Sequence, residues 1–124
     1  MNDDNERILL VVEPDDMVRE TLRRLIKRHQ NHFKSIIVVS EPKTAIEVLE
    51  KMRVTHLICA QDLGPKCSIG GANYVRSWRI THPHIEKALI FTSQAFSTGD
   101  KYPEIDDIVS KAISVKDLLG ILLK

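Results

Sequence analysis

The stretch Ile8-Leu9-Leu10-Val11-Val12-Glu13-Pro14-Asp15-Asp16 decides the fold. Its first residues form an unbroken β-rich apolar run, which suits a central strand covered on both faces. The run stops at Glu13-Pro14, because proline cannot donate to a sheet ladder. Asp15 or Asp16 then supplies a helix cap, and Val18, Leu22, Leu25 and Ile26 follow at helical spacing on one apolar stripe. Glu20 and Arg24 lie four apart in the order that favours a helical ion pair. A fully buried strand, an acidic turn and an amphipathic helix together open a parallel β-α-β unit.

The same grammar repeats outward. Ile36-Ile37-Val38-Val39 is a second strand, followed by Ser40 as a cap and Pro42 in a first helical turn, with Ala45, Ile46, Leu49 and Met52 on the buried face. Leu57-Ile58-Cys59-Ala60 is a third strand; a loop holding Pro65, Gly70 and Gly71 leads to a helix with Ala72, Val75 and Trp78 on one stripe. Ala88-Leu89-Ile90-Phe91 is a fourth strand ending at Thr92. The stretch Ser93 to Glu104 carries a fourth helical segment, which Gly99 and Pro103 hold to little more than two turns. Ile108-Val109 is a short fifth strand, and Ser114 with Asp117 signals a last helix bearing Leu118, Leu119 and Leu122. Strands alternating with helices predict a single α/β domain over residues 1–124. Its architecture is a flavodoxin-like, doubly wound parallel sheet of five strands in the order 2-1-3-4-5.

Composition excludes several function classes. The chain has 124 residues and a formal net charge of +1, so no global field draws it to nucleic acid or to an anionic membrane. The basic run Arg23-Arg24, Lys27-Arg28 alternates with core leucines and is a solvated helix face. No segment has the length of a membrane span, and the polar, acidic N-terminus is unlike a secretory signal. Cys59 sits inside an apolar run and Cys67 in a loop; two such cysteines make no disulfide framework, and a cytoplasmic location is expected. His29 and His32 lack nearby cysteines and read as solvated rather than metal-binding. There is no Walker loop, zinc pattern or nucleophile elbow, so no catalytic residues are expected and the chain is not read as an enzyme.

In a parallel sheet the carboxyl ends of the strands converge on one crevice. Here those ends carry Glu13 to Asp16, Gln61-Asp62, Thr92 and Lys111. In this order the residues resemble the receiver domain of bacterial two-component response regulators, over essentially the whole chain from Arg7 to Lys124. The resemblance implies a signal-transduction role in a phosphorelay. An aspartate after strand three accepts a phosphoryl group from a histidine kinase, paired acids after strand one hold Mg2+, and a threonine and a lysine contact the phosphoryl oxygens. Thr92 and Lys111 match the last two.

Three positions depart from that pattern. The paired acids align with Glu13 and Pro14, so any Mg2+ site, built from Glu13 and Asp16, is weak. Counting back from Pro65 places Gln61 at the phosphoacceptor position, and a carboxamide cannot form an acyl phosphate. Asp62 is the alternative acceptor, but side-chain alternation along a strand turns it away unless the chain bulges. Ala112 stands where the family has a proline after the lysine, so a trans peptide is expected there. Ile108 replaces the aromatic switch residue often found three before the lysine.

The expected function is thus that of an atypical, pseudo-receiver module acting through protein–protein contact, without ordinary aspartyl phosphorylation. The alternative is a working phosphoacceptor modified at Asp62 by a histidine kinase, with Glu13 and Asp16 holding the cation. Partners implied by the resemblance are signalling proteins, either a histidine kinase or a downstream protein. The family's usual contact face is built by the fourth helical segment, the fifth strand and the last helix, and a homodimer is possible there. Neither nucleic acid nor membrane is an expected partner of this domain.

Overall fold

The computed structural model describes residues 6–28, 32–67, 69–93 and 102–124. Five strands, β1 (Ile8–Val12), β2 (Ser35–Val39), β3 (His56–Ala60), β4 (Lys87–Thr92) and β5 (Asp107–Ser110), form one parallel sheet in the order β2-β1-β3-β4-β5. Among the described residues four helices cover it: α1 (Asp16–Lys27), α2 (Pro42–Lys51), α3 (Gly71–Thr81) and α4 (Val115–Leu122). The order and the all-parallel pairing are those expected of a flavodoxin-like sheet.

Strand alternation divides the core in two. Leu10 and Val12 of β1 and Leu57 and Cys59 of β3 pack with Ala45, Leu49, Ala72, Val75 and Trp78 of α2 and α3. Leu9 and Val11 of β1 and Ile58 of β3 pack on the other face with Leu22, Ile26, Leu118 and Leu122 of α1 and α4. All residues of β1 and β3 are buried, and apart from His56 all of them are apolar. Cys59 is part of this core, and burial, with Glu13 and then Cys67 adding to it, pushes its thiol far above the usual range. A thiol so protonated is a small hydrophobe, not a nucleophile.

Helix ends follow the sequence signals with two corrections. Asp15 caps α1, accepting from the backbone N–H of Met17 and Val18 at 2.9 and 3.0 Å, and Ser114 caps α4 by accepting from Asp117 N–H at 3.1 Å. At α2 the cap is Glu41, not Ser40, and it makes no side-chain cap bond. Pro42 in the first turn sets the start instead, its missing N–H removing one donor that would need a partner. On α1, Glu20 pairs with Arg23 at 3.5 Å rather than with Arg24. Both spacings lie on one helix face, so sequence alone does not choose between them. The expected fourth helical segment lies largely outside the described residues; its described ends, Ser93 and residues 102–104, are not helical.

Gly120 lies within α4, and a Cβ built there meets nothing within 4 Å. Gly120→Ala is therefore expected to raise stability by about 0.5–1 kcal/mol, because alanine loses less backbone freedom than glycine in a helix. A urea titration would measure the gain, and any loss would contradict the open space around the position.

At the opposite end of the sheet from the crevice, His56 is buried, its Nδ1 2.8 Å from Thr55 Oγ1 and its ring edge-on to Phe33. Burial holds the imidazole below its ordinary pKa; Glu86 opposes this, while Arg7 and Lys87 add to it. The unfolded chain thus takes up this proton near the ordinary histidine value of about 6.5, and the folded chain only at lower pH. The His56 contribution is complete above that value and is lost as pH falls below it. Urea midpoints taken between about pH 7.5 and 5.5 should fall more steeply for the native chain than for His56→Gln.

Candidate functional site

Three backbone hydrogen bonds extend the sheet ladder one residue beyond the strands and fix the site's geometry. Glu13 N–H donates to Val39 O, Gln61 N–H to Phe91 O and Lys111 N–H to Thr92 O, at 3.0, 3.0 and 2.9 Å. Glu13, Gln61 and Lys111 are therefore each tied at the backbone N–H to the neighbouring strand rather than to their own loops.

Glu13 is 1% exposed, a buried carboxylate at the foot of the crevice. Its Oε2 accepts from Asp15 N–H at 2.9 Å, and its Oε1 lies 2.8 Å from Lys111 Nζ. The same ammonium stands 5.9 Å from the centre of the Phe91 ring. Lys111 thus reaches across the crevice from the β5–α4 connection to the turn after β1. Its carboxylate partner is Glu13, not Asp62. Thr92 ends β4, partly exposed, with its backbone paired to the β5 side. The backbone N–H of Ala112 donates to Ser110 Oγ at 3.1 Å, and among the described residues every peptide bond is trans, the bond before Ala112 included.

Gln61 turns toward the α3 side of the sheet, the side also taken by Leu57 and Cys59 in β3. Its Oε1 accepts from Ala72 N–H at 2.9 Å, and its carbonyl accepts from Gly71 N–H at 2.9 Å. Gly70, the N-cap residue of α3, has no side chain to offer the helix. Gln61 therefore satisfies two N–H groups at the start of α3 from across the loop, the task a capping side chain performs locally. Gly70 and Gly71 make this possible by leaving room. A Cβ on Gly70 would lie 2.2 Å from Gln61 Nε2, and one on Gly71 would lie 2.0 Å from Ala60 O. Gln61→Ala is expected to cost about 1 kcal/mol, the usual loss on deleting a cap, read as a lowered urea midpoint.

Asp62 is exposed, and its Oδ1 accepts from Gly64 N–H at 3.0 Å, closing a small turn. Gly64 has φ of 98°, a left-handed conformation that suits glycine. Neither Gln61 nor Asp62 is bound to Lys111.

Asp16 lies in the first turn of α1, 89% exposed and ion-paired with Arg19. Arg19 also donates from Nη1 to the carbonyls of Glu13 and Pro14, at 3.0 and 3.2 Å. This arginine fixes the acidic turn, and sequence reading missed it because its partners are backbone carbonyls. A cation held by Glu13 and Asp16 would compete with Lys111 at one carboxylate and with Arg19 at the other. Magnesium needs near-ideal octahedral oxygen geometry, and among the described residues no group of three His, Cys, Asp or Glu could hold a metal ion. These residues do not fit the group.

No family model and no curated protein matches the chain by sequence. Solved structures match it closely in shape. The signal receiver domain of an HD domain-containing protein from Pseudomonas fluorescens Pf-5 has a TM-score of 0.81 at 16% identity, over 95% of this chain and 92% of that one. The fold is that of a receiver domain. The chemotaxis protein CheY4 of Vibrio cholerae superposes with a TM-score of 0.78 at 13% identity, over 94% of this chain and 96% of that chain. A CheY-like response regulator receiver domain protein from Methanospirillum hungatei JF-1 gives 0.77 at 13%, over 92% and 88%. At such identities the likeness speaks for the receiver fold alone, and the roles of its residues rest on their geometry. Among the described residues no helix is long and apolar enough to cross a membrane.

Proposed function

We propose that this receiver-fold chain is a cytoplasmic signalling module that works by protein–protein contact and does not carry an aspartyl-phosphate switch. The observation that carries this is Gln61. Its position after β3 corresponds to the phosphoacceptor of the family it resembles, yet its amide oxygen is occupied in capping α3 at Ala72. An amide is no phosphoryl nucleophile. The pairing of Lys111 with Glu13 supports the same conclusion, since the cation suited to a phosphoryl oxygen is already neutralised. The proposed partners are signalling proteins, a histidine kinase or a protein downstream of one, met through the surface around β5 and α4.

The test is direct. The purified chain is incubated with acetyl phosphate and Mg2+, and its intact mass is measured. No gain of one phosphoryl group is expected. A gain that disappears in Asp62→Ala would overturn the proposal and establish Asp62 as the acceptor, with the exposed carboxylate leaving its turn at Gly64 to react.

A further inference from the structure

The two edges of the sheet are guarded very differently. β5 is short, begins with the exposed Asp107, and spends one amide internally, Ile108 N–H donating to Asp107 Oδ1 at 2.8 Å. A short edge with a charge at its margin resists pairing with another strand. β2, the other edge, has none of these devices. Ser35-Ile36-Ile37-Val38-Val39 has no charge, proline or glycine, and its first four residues are partly exposed whereas β1 and β3 are wholly buried.

The backbone of β2 is arranged to accept a further strand. Val39 turns its carbonyl to Glu13 on the β1 side. Because successive residues of a strand alternate, Val38 and Ile36 present their N–H and C=O groups to the open side. Among the described residues no strand pairs with that side. Ile36 and Val38 belong to the sheet face covered by α1 and α4, and Ile37 to the face covered by α2 and α3.

We propose that β2 pairs with β2 of a second copy of this chain, antiparallel about a two-fold axis at Ile37, joining the two sheets into one. The axis sets Ile36 of one copy opposite Val38 of the other. Both present outward backbone groups and both lie on the same sheet face, so side chains and hydrogen bonds agree in register. The ends of the strand are complementary as well. Lys34 precedes β2 and Glu41 follows it, both exposed. A two-fold pairing brings Lys34 of one copy to the end occupied by Glu41 of the other, and does so twice. A parallel arrangement would instead place like charges together. This interface is distinct from the family's usual contact face, and it holds whether or not Asp62 can be phosphorylated.

Sedimentation equilibrium of the full chain over a wide concentration range should show a monomer–dimer equilibrium. Lys34→Glu and Glu41→Lys, at exposed positions, are each expected to weaken the dimer about tenfold, and the two together to restore it to within about threefold. Circular dichroism verifies that each variant is folded. Hydrogen exchange at the Ile36 and Val38 amides should slow as the dimer forms. A monomer at every concentration, single variants that leave the dimer unchanged, a double variant that does not recover, or unaltered exchange at these amides would each overturn the proposal.

Discussion

Replacing Lys111 by alanine is expected to cost about 3 kcal/mol of folding stability, a loss large for a side chain at the surface of a crevice. The reason is Glu13. With 1% exposure, its carboxylate depends, among the described residues, on the ammonium 2.8 Å away and on the N–H of Asp15. Removing the cation leaves a buried negative charge without its counter-charge, and such a charge is expensive because water replaces the lost partner only in part. Lys111 itself is 19% exposed, so some water reaches the vacated end and keeps the loss from being larger. Adding Glu13→Gln to the Lys111→Ala chain should recover more than half of it, since the neutral amide no longer needs a counter-charge. Urea unfolding of the two single variants and the double variant gives the coupling directly. A loss below about 0.5 kcal/mol for Lys111→Ala would mean that the pair acts as an ordinary exposed salt bridge.

Gly71→Ala is expected to be at least as damaging, about 3 kcal/mol or more. Its Cβ would sit 2.0 Å from Ala60 O and 3.1 Å from Cys59 Sγ, where the start of α3 presses on the end of β3. Ala60 closes β3, and its neighbour Gln61 is tied through its N–H to Phe91 O, so this carbonyl can retreat only by moving the end of the strand. Gly70→Ala should cost less, because the nearest atoms belong to the Gln61 side chain, which can swing away at the expense of the cap. The ranking Gly71→Ala far below Gly70→Ala, with Gly120→Ala above the native chain, can be read from three urea curves. Equal losses at 70 and 71 would show that the helix start shifts as a unit.

The fold was legible because strand burial leaves a strong mark. The runs at 8–12 and 57–60 are continuously apolar since helices cover both faces, and parallel strands then follow from the helices between them. The cap at Ser114, and a cap at Asp15 or Asp16, were legible for a similar reason: donor and acceptor lie within one turn. The site was legible only in outline. Counting from Pro65 brings Gln61 to the end of β3, but nothing near Gln61 in sequence says that its amide will meet Ala72 across a loop. Likewise Glu13 and Lys111 lie near opposite ends of the chain, and only the placing of β1, β3, β4 and β5 lets the lysine reach over. Gly70-Gly71 reads as the end of a loop leading into a helix, whereas its task is close approach, a distinction that needs the third dimension.

The capping role of Gln61 also makes the site hard to convert. An aspartate there is one methylene shorter, and a carboxylate aimed into the crevice would no longer be at the amide of Ala72. One substitution would therefore remove a structural tie before it supplied a reactive group, and Lys111 would still be held by Glu13. Placing an acyl-phosphate acceptor at this position would call for concerted changes at 61, at the start of α3 and at the Glu13–Lys111 pair. Each change made singly is expected to weaken the fold, so under the proposed reading the arrangement resists one-step conversion, much as a ratchet is held by its pawl.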